Sequence, residues 1–62
     1  MEEKLLLRVE EVAEMLNIGK SAVYDLMRRR TLVSVKIGRT RRVPVSAVRA
    51  YVDRIAEEAE SA

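Results

Sequence analysis

The residues with the most distinctive chemistry are cations concentrated in the middle of the chain. Residues 20–43 contain eight lysines and arginines and a single carboxylate, Asp25. The flanks are acidic, since residues 1–19 carry a formal charge of −3 and residues 44–62 carry −2, whereas the middle carries +7. Charge sorted in this way produces a strong local positive potential and predicts binding to a polyanion. Nucleic acid is the leading partner, and an anionic membrane surface is the second.

Other kinds of chemistry find little support in the composition. The chain has no histidine and no cysteine, which excludes disulfides and the usual structural zinc sites. Its carboxylates fall mostly on outer helix faces and no glycine-rich phosphate loop is present, so we predict a binding protein without cofactor or metal, not an enzyme. No apolar run approaches the roughly 20 residues of a membrane span. We expect a cytoplasmic protein that associates with the nucleoid when bound to DNA and has no membrane partner.

Two short helices are predicted in the first half of the chain. In the first, over VEEVAEML, four apolar residues recur at helical spacing on one face. Asn17 tolerates left-handed geometry and Gly19 can cap a new helix, so a break is predicted between them. The second helix, over KSAVYDLMRRR, has Val23, Leu26 and Met27 on one face and polar or basic residues on the rest. Two helices joined in this way form a helix-turn-helix, whose second helix usually reads the DNA major groove.

A change of period after the second helix predicts a β-hairpin. Apolar residues alternate with polar ones over residues 33–37, which is typical of a half-buried strand. Val43 and Val45 resume the alternation after an arginine-rich tip of residues 38–41. Pro44 is expected to end the strand pairing because it has no N–H to donate.

The remaining segments complete one domain over residues 1–62, mainly α-helical with a small β-hairpin. Ser46 is predicted to cap a final helix, whose far end, residues 56–62, is expected to fray. Three leucines at residues 5–7 predict an added strand or a core plug. The apolar stripe of the final helix is the strongest in the chain and consists of Val48, Tyr51, Val52, Ile55 and Ala59.

In their order and spacing these segments resemble the excisionase family of small DNA-binding proteins, a branch related to the DNA-binding domain of MerR-type regulators. The resemblance rests on VEEVAEML, KSAVYDLM and VKIGRTRRVP followed by SAVRAYV, and it covers about residues 5–55. The chain departs from the family pattern at Arg8, Asn17 and Gly19, which affects only how sharply the helix ends are defined.

The resemblance implies a winged helix-turn-helix, with the second helix in a major groove and the hairpin as a wing against a minor groove or the DNA backbone. It also implies a role as an excisionase, or recombination directionality factor, of a mobile genetic element. Such a protein binds and bends attachment-site DNA and promotes excision by a site-specific recombinase (integrase). Because one small monomer covers little DNA, we expect several copies to bind neighbouring sites cooperatively.

Candidate DNA contacts lie on both basic elements. Arg28 is the first choice for base recognition, because it lies opposite the apolar helix face and an arginine can bond guanine bidentately. Tyr24 could reach DNA or cover the rim of the core, and Asp25 could accept from cytosine or pair with Arg29. The predicted contacts are Lys20, Ser21, Tyr24, Asp25, Arg28 and Arg29 on the recognition helix, and Lys36, Arg39, Thr40, Arg41 and Arg42 on the wing.

Both basic segments also have an explanation without DNA binding. Consecutive Arg28, Arg29 and Arg30 could be a solvated helix face, and they cannot all point the same way, so at most two face DNA. A cationic hairpin repels itself unless phosphates neutralise it with release of counterions, which favours DNA over a merely soluble loop. Two other functions stay open, a stand-alone transcriptional regulator and a protein-interaction module with a basic docking face. DNA binding requires that residues 20–30 and 36–42 converge on one surface.

Overall fold

The chain forms a helix-turn-helix, a hairpin and a long final helix, and the computed structural model describes residues 4–61. The predicted class, mainly α-helical with a small antiparallel sheet, is confirmed. In chain order the elements are β1 (Leu6–Leu7), α1 (Val9–Leu16), α2 (Lys20–Arg28), β2 (Val35–Ile37), β3 (Thr40–Pro44) and α3 (Val45–Ser61).

The turn between α1 and α2 forms where the sequence predicts it. Asn17 has a left-handed backbone with φ of 57°, and the N–H of Ile18 donates to the carbonyl of Ala13 at 3.0 Å, which closes the end of α1. Gly19 is extended and precedes α2, and its carbonyl accepts from the N–H of Val23 at 3.2 Å. The short connection holds the two helices against each other.

The core is small and lies where the two short helices meet the sheet and α3. Its centre consists of Val12 of α1, Val23 of α2, Leu32 of the loop after α2, and Val43 of β3, each almost fully buried. None of the described residues has a buried polar or charged side chain. The stability of the domain therefore rests on a few aliphatic side chains from four different segments.

The sheet has the strand order β1-β3-β2, with both pairs antiparallel. Leu7 lies opposite Val43 and is buried, so the leucines near the N-terminus supply both a strand and a core residue, as predicted. The prediction that Pro44 ends the strand pairing is confirmed, because Pro44 is the last residue of β3, where it lies opposite Leu6. The lost N–H is tolerated there because β1 is short and the next donor, the N–H of Val45, bonds to Leu5 at 2.9 Å.

The hairpin differs from its prediction in two ways. The first strand is predicted over residues 33–37, but β2 covers only Val35–Ile37. It is also not half-buried, because it packs chiefly against β3, and Val33 and Ile37 are exposed. The tip is also shorter than residues 38–41, since only Gly38 and Arg39 turn the chain before β3 begins. Gly38 has a φ of 61°, a left-handed conformation that glycine adopts without steric cost.

The final helix begins two residues earlier than predicted, since an N-cap at Ser46 would make Ala47 its first residue. Val45 is its first residue and is buried, so Ser46 lies inside the first turn and does not cap the helix. The helix continues through Ser61 with residues 56–61 exposed, while Ala62 lies outside the described residues. Fraying of residues 56–62 stays a prediction.

Only the first part of the α3 stripe reaches the core. Val48 is buried and Tyr51 packs against the core, as predicted, whereas the rest of the stripe is exposed. Arg54 lies with its guanidinium 5.7 Å from the centre of the Tyr51 ring. It also donates to the carbonyl of Thr31 at 3.0 Å, so α3 braces the loop that follows α2.

Glu11, in the first turn of α1, ties the N-terminal segment to the helix. Its carboxylate accepts a hydrogen bond from the backbone N–H of Arg8 at 2.9 Å and pairs with the ammonium group of Lys4. These hydrogen bonds, and then the positive charges of the two residues, lower the pKa of Glu11 from its ordinary 4.5 to about 2. The folded protein therefore favours the ionised form of this side chain.

Replacement of the buried loop residue Leu32→Ala should destabilise the domain strongly. Loss of a fully buried leucine typically costs about 2–5 kcal/mol, a large share of the stability of a small domain. The neighbouring exposed residue is the control, and Val33→Ala should change stability by no more than about 0.5 kcal/mol. Urea denaturation followed by circular dichroism measures both, and equal effects would contradict the core described here.

Replacement of Glu11→Gln should lower Tm near neutral pH by an amount that disappears in acid. The folded pKa of about 2 lies below the unfolded value near 4.5. The stability from ionised Glu11 is therefore complete above about pH 4.5 and is lost as pH falls through 2. Thermal unfolding between pH 6 and pH 2 measures the difference between the variant and the original chain. Glu14→Gln, on the same helix, is the control, and a difference for Glu11→Gln that is the same at every pH would refute the expectation.

Candidate nucleic-acid interface

A groove runs between α2 and the hairpin, which we call the wing and which comprises residues 35–44. The groove has a volume of about 720 Å³, and four arginines from different segments line it. One comes from α2, one follows that helix, one lies at the wing tip and one lies in β3. They are Arg28, Arg30, Arg39 and Arg41. Both basic segments of the chain thus contribute to one surface, which is the arrangement that DNA binding requires.

The exposed face of α2 forms one wall of this groove. Lys20, Tyr24 and Arg28 follow one another at intervals of four residues, so they form a row along one helix face. Tyr24 is 52% exposed and lines the groove with Arg28, which favours a ligand contact over a role at the core rim. Lys20 and Ser21 are exposed in the first turn of α2, beyond the part of the helix that lines the groove.

Asp25, the single carboxylate of the basic block, pairs with Arg28 of α2 and with Arg29 directly after it. Its Oδ2 lies 3.1 Å from Nε of Arg29, and its Oδ1 lies 3.4 Å from Nη2 of Arg28. The predicted alternative, an intrahelical pair with Arg29, is therefore present in this structure. All three side chains are substantially exposed, so each pair contributes at most about 1 kcal/mol. The main effect of Asp25 is to reduce the positive charge on the face of α2.

The strand register separates the cations of the wing. Lys36 lies opposite Arg41, and residues opposite each other share a face, which is also the face of buried Val43. Arg41 donates from Nη1 to the hydroxyl of Ser34 at 3.1 Å and lines the groove. Arg42 is on the other face of β3, opposite Val35, and does not line the groove. The wing thus directs part of its charge toward α2 and part away from it.

The wing tip closes the far end of the groove. Arg39 lies in the two-residue turn, and Thr40, the first residue of β3, lies opposite Ile37. Both Arg39 and Thr40 line the groove. Because Gly38 and Thr40 are small, the arginine at the tip is the longest side chain there and can extend toward a ligand.

Two polar residues of the groove are absent from the sequence-based site. Arg30 and Ser34 line the groove, whereas Arg29, which was included, is turned toward Asp25. Arg30 has a left-handed backbone with φ of 60°, which changes the direction of its side chain relative to a continued helix. No glycine or asparagine marks that position in the sequence, so no local signal indicated the turn.

Most cations of the basic block lack a carboxylate partner in this structure. Within residues 4–61, ion pairs shorter than 4.0 Å involve only Arg28 and Arg29 of the block, both with Asp25. The cations of the block that have no carboxylate partner among residues 4–61 are Lys20, Arg30, Lys36, Arg39, Arg41 and Arg42. Of these, Arg30, Arg39 and Arg41 line the groove, and such a set of guanidinium groups is suited to a ligand with regularly spaced negative charges, such as a nucleic-acid backbone.

Over residues 4–61 no group of three or more metal-ligating side chains is close enough to hold a metal ion. Among the same residues no helix is long and apolar enough to cross a membrane. The groove between α2 and the wing is the candidate functional site because it gathers four arginines from different segments.

Comparisons with known proteins find matches to most of the chain. A family model described as a helix-turn-helix domain matches residues 6–56. An excisionase of Streptomyces ambofaciens is 53% identical over 47 residues, which cover 76% of this chain and 76% of that protein. A probable excisionase of Saccharopolyspora erythraea is 37% identical over 59 residues, which cover 95% of this chain and 60% of that protein. No solved structure matches the chain significantly.

Replacement of Asp25→Asn should raise affinity for DNA up to about fivefold and reduce sequence discrimination. The substitution releases the guanidinium groups of Arg28 and Arg29, whose exposed pairs with Asp25 are worth at most about 1 kcal/mol. Asp53→Asn on α3 removes the same charge away from the groove and should have a smaller effect. Fluorescence anisotropy with labelled duplexes measures both. Weaker binding by Asp25→Asn would instead indicate that the carboxylate itself contacts a base.

Proposed function

Since the chain belongs to the excisionase family of helix-turn-helix proteins, we propose that it binds and bends attachment-site DNA and thereby directs a site-specific recombinase toward excision. The observation that carries this proposal is the groove in which α2 and the wing present arginines to a common space. A surface with this charge and this shape fits a duplex better than it fits a small molecule, because its cations are spread along two separate elements.

In this proposal α2 lies in a major groove, whose width of roughly 12 Å admits one helix. The row of Lys20, Tyr24 and Arg28 then faces the base edges, with Arg28 bonded to a guanine. The wing extends along the duplex, so that Arg39 and Arg41 reach the backbone or an adjacent minor groove, where a narrow groove has an enhanced negative potential. The helix supplies sequence recognition and the wing supplies most of the sequence-independent attraction.

A single copy can contact only a short stretch of DNA. The nine residues of α2 span about 13.5 Å at 1.5 Å per residue, which corresponds to about four base pairs. Smoothly bending a site of 20–30 base pairs costs roughly 1–6 kcal/mol, so one such contact is a weak source of bending. Several copies on neighbouring sites, bound cooperatively, can offset that cost together.

The recombinase performs the strand exchange in this proposal, and this chain acts in the cytoplasm, on nucleoid DNA, by shaping the substrate. No residue is assigned a catalytic role, and no cofactor takes part. A transcriptional regulator would use the same groove, whereas a protein-interaction module would not discriminate among DNA sequences. An excision assay with the purified recombinase and an attachment-site plasmid separates an excisionase from a transcriptional regulator, because only an excisionase increases the yield of excised product.

Arg28→Ala and Arg41→Ala should weaken DNA binding in different ways. Loss of Arg28 should reduce discrimination between attachment-site and random duplexes by roughly 1–3 kcal/mol, because a base contact is removed. Loss of Arg41 should weaken binding to both duplexes alike, because a phosphate contact is removed. The plot of log K against log salt should become less steep, with a slope smaller in magnitude by about 1. Gel shifts at several salt concentrations measure both quantities.

Lys4→Ala is the matched control for the loss of one positive charge. Lys4 pairs with Glu11 beside Met15 and Val45, away from the groove, so its removal should leave the salt slope unchanged. If the original chain binds random and attachment-site DNA alike at physiological salt, or binds without salt dependence, the proposed function is wrong.

A further inference from the structure

Arg30 occupies a backbone position that the fold reserves for a residue with positive φ. Its φ is 60°, and the turn is fixed by two hydrogen bonds. The N–H of Arg30 donates to Met27 at 3.1 Å, and the N–H of Thr31 donates to Leu26 at 3.0 Å. This is the usual ending of a helix at glycine, because a Cβ atom in left-handed geometry crowds the following carbonyl. The end of α2 needs the turn, but it does not need an arginine.

Arg30 lies where two grooves share a wall. Besides the groove between α2 and the wing, a neighbouring groove of about 360 Å³ lies against the loop after α2. Arg30, Ser34 and Arg41 line both grooves, together with Met27. Arg41 is oriented there by its hydrogen bond to the Ser34 hydroxyl at 3.1 Å. The structure thus brings Arg30 to the junction of α2 and the wing, beside the guanidinium group of Arg41 and the hydroxyl of Ser34.

The junction has no negative charge of its own. Within residues 4–61, no carboxylate lies within 4.0 Å of the guanidinium nitrogens of Arg30 or Arg41. Like charges held at one site without a counter-charge repel each other, and a strained backbone adds to the cost. An arginine at a position that favours glycine is therefore unfavourable for the isolated fold. When an anionic ligand is bound, these positive charges are attracted to it, and the electrostatic contribution becomes favourable.

We propose that Arg30, Ser34 and Arg41 form a binding site for one phosphodiester group of the DNA backbone, an inference that rests on the proposed function. The two guanidinium groups donate to the phosphate oxygens, and the Ser34 hydroxyl holds Arg41 in position. Phosphate contacts fix the register and orientation of a protein on the duplex. Because this site lies at the base of the wing beside the end of α2, it sets how the recognition helix enters the major groove.

The test is Arg30→Gly, for which the site predicts opposite effects on stability and on binding. The variant should unfold at a Tm a few degrees higher than the original chain, since glycine adopts the left-handed backbone without strain. It should bind attachment-site DNA roughly tenfold more weakly, with a salt slope lower by about 0.9. Asn17→Gly is the matched control, because Asn17 is the other non-glycine residue with positive φ in the described chain and belongs to no predicted contact. Its affinity and salt slope should not change.

Ethylation interference on the bound duplex identifies the contact directly. The original chain should lose binding when one particular backbone phosphate is ethylated, and Arg30→Gly should no longer be sensitive at that phosphate. An Arg30→Gly variant with the affinity, salt slope and interference pattern of the original chain would overturn the inference, while leaving the proposed function intact. Failure of the original chain to bind attachment-site DNA would overturn the proposed function instead.

Discussion

The packing of Val43 of β3 against the same core as Val12 of α1 and Val23 of α2 is the constraint on which the rest of the structure depends. The core has few members, so each one determines the relative position of the element that carries it. Val43 fixes the base of the wing, and Val23 fixes the buried face of α2. The width and direction of the groove between them follow from this contact. Leu32, buried in the connecting loop, holds the two elements at that spacing.

The positive charges of residues 20–43 destabilise the free protein. The basic block repels itself, and in the described structure Asp25 is the only carboxylate that pairs within it. The cations remain tolerable because they are exposed, where water screens their repulsion. Glu11 shows the opposite arrangement on another surface, where backbone and side-chain donors stabilise the ionised carboxylate. Favourable local electrostatics therefore stabilise the folded protein at Glu11. At the groove the charges repel one another and are suited to an anionic partner.

The sequence was sufficient to predict the features that depend on local signals. Asn17 and Gly19 end one helix and begin the next because of their own backbone preferences, and the structure has both where expected. The features that failed depend on neighbours distant in sequence. The start of α3 at Val45 is such a feature, because the N–H of Val45 bonds to the carbonyl of Leu5, just before β1.

Periodicity was least informative in the wing and its surroundings. Alternation alone could not show that Ile37 would lie beyond the core, because that depends on how far the sheet extends past the helices. The buried Leu32 stood outside every periodic segment, and the direction of Arg42 follows from a register that depends on a two-residue turn. Arg30 was missed for a related reason, since its conformation is imposed by the closing hydrogen bonds of α2 and contradicts its own preference. Local rules fail there because the position serves the ligand and the fold at once.

The left-handed conformation of Arg30 also bears on how affinity arises. A side chain ordered only on binding loses rotamer freedom at that step, at a cost of roughly 0.5–1.5 kcal/mol. In this structure the backbone that aims Arg30 is already fixed by hydrogen bonds, and Arg41 is already held by Ser34. Part of the ordering cost and all of the backbone strain are therefore present in the free protein and do not weaken the complex. The free protein is less stable for this reason, but Arg30 and Arg41 are already positioned before DNA binds. This arrangement suits a small protein of which one copy contacts only a short stretch of DNA.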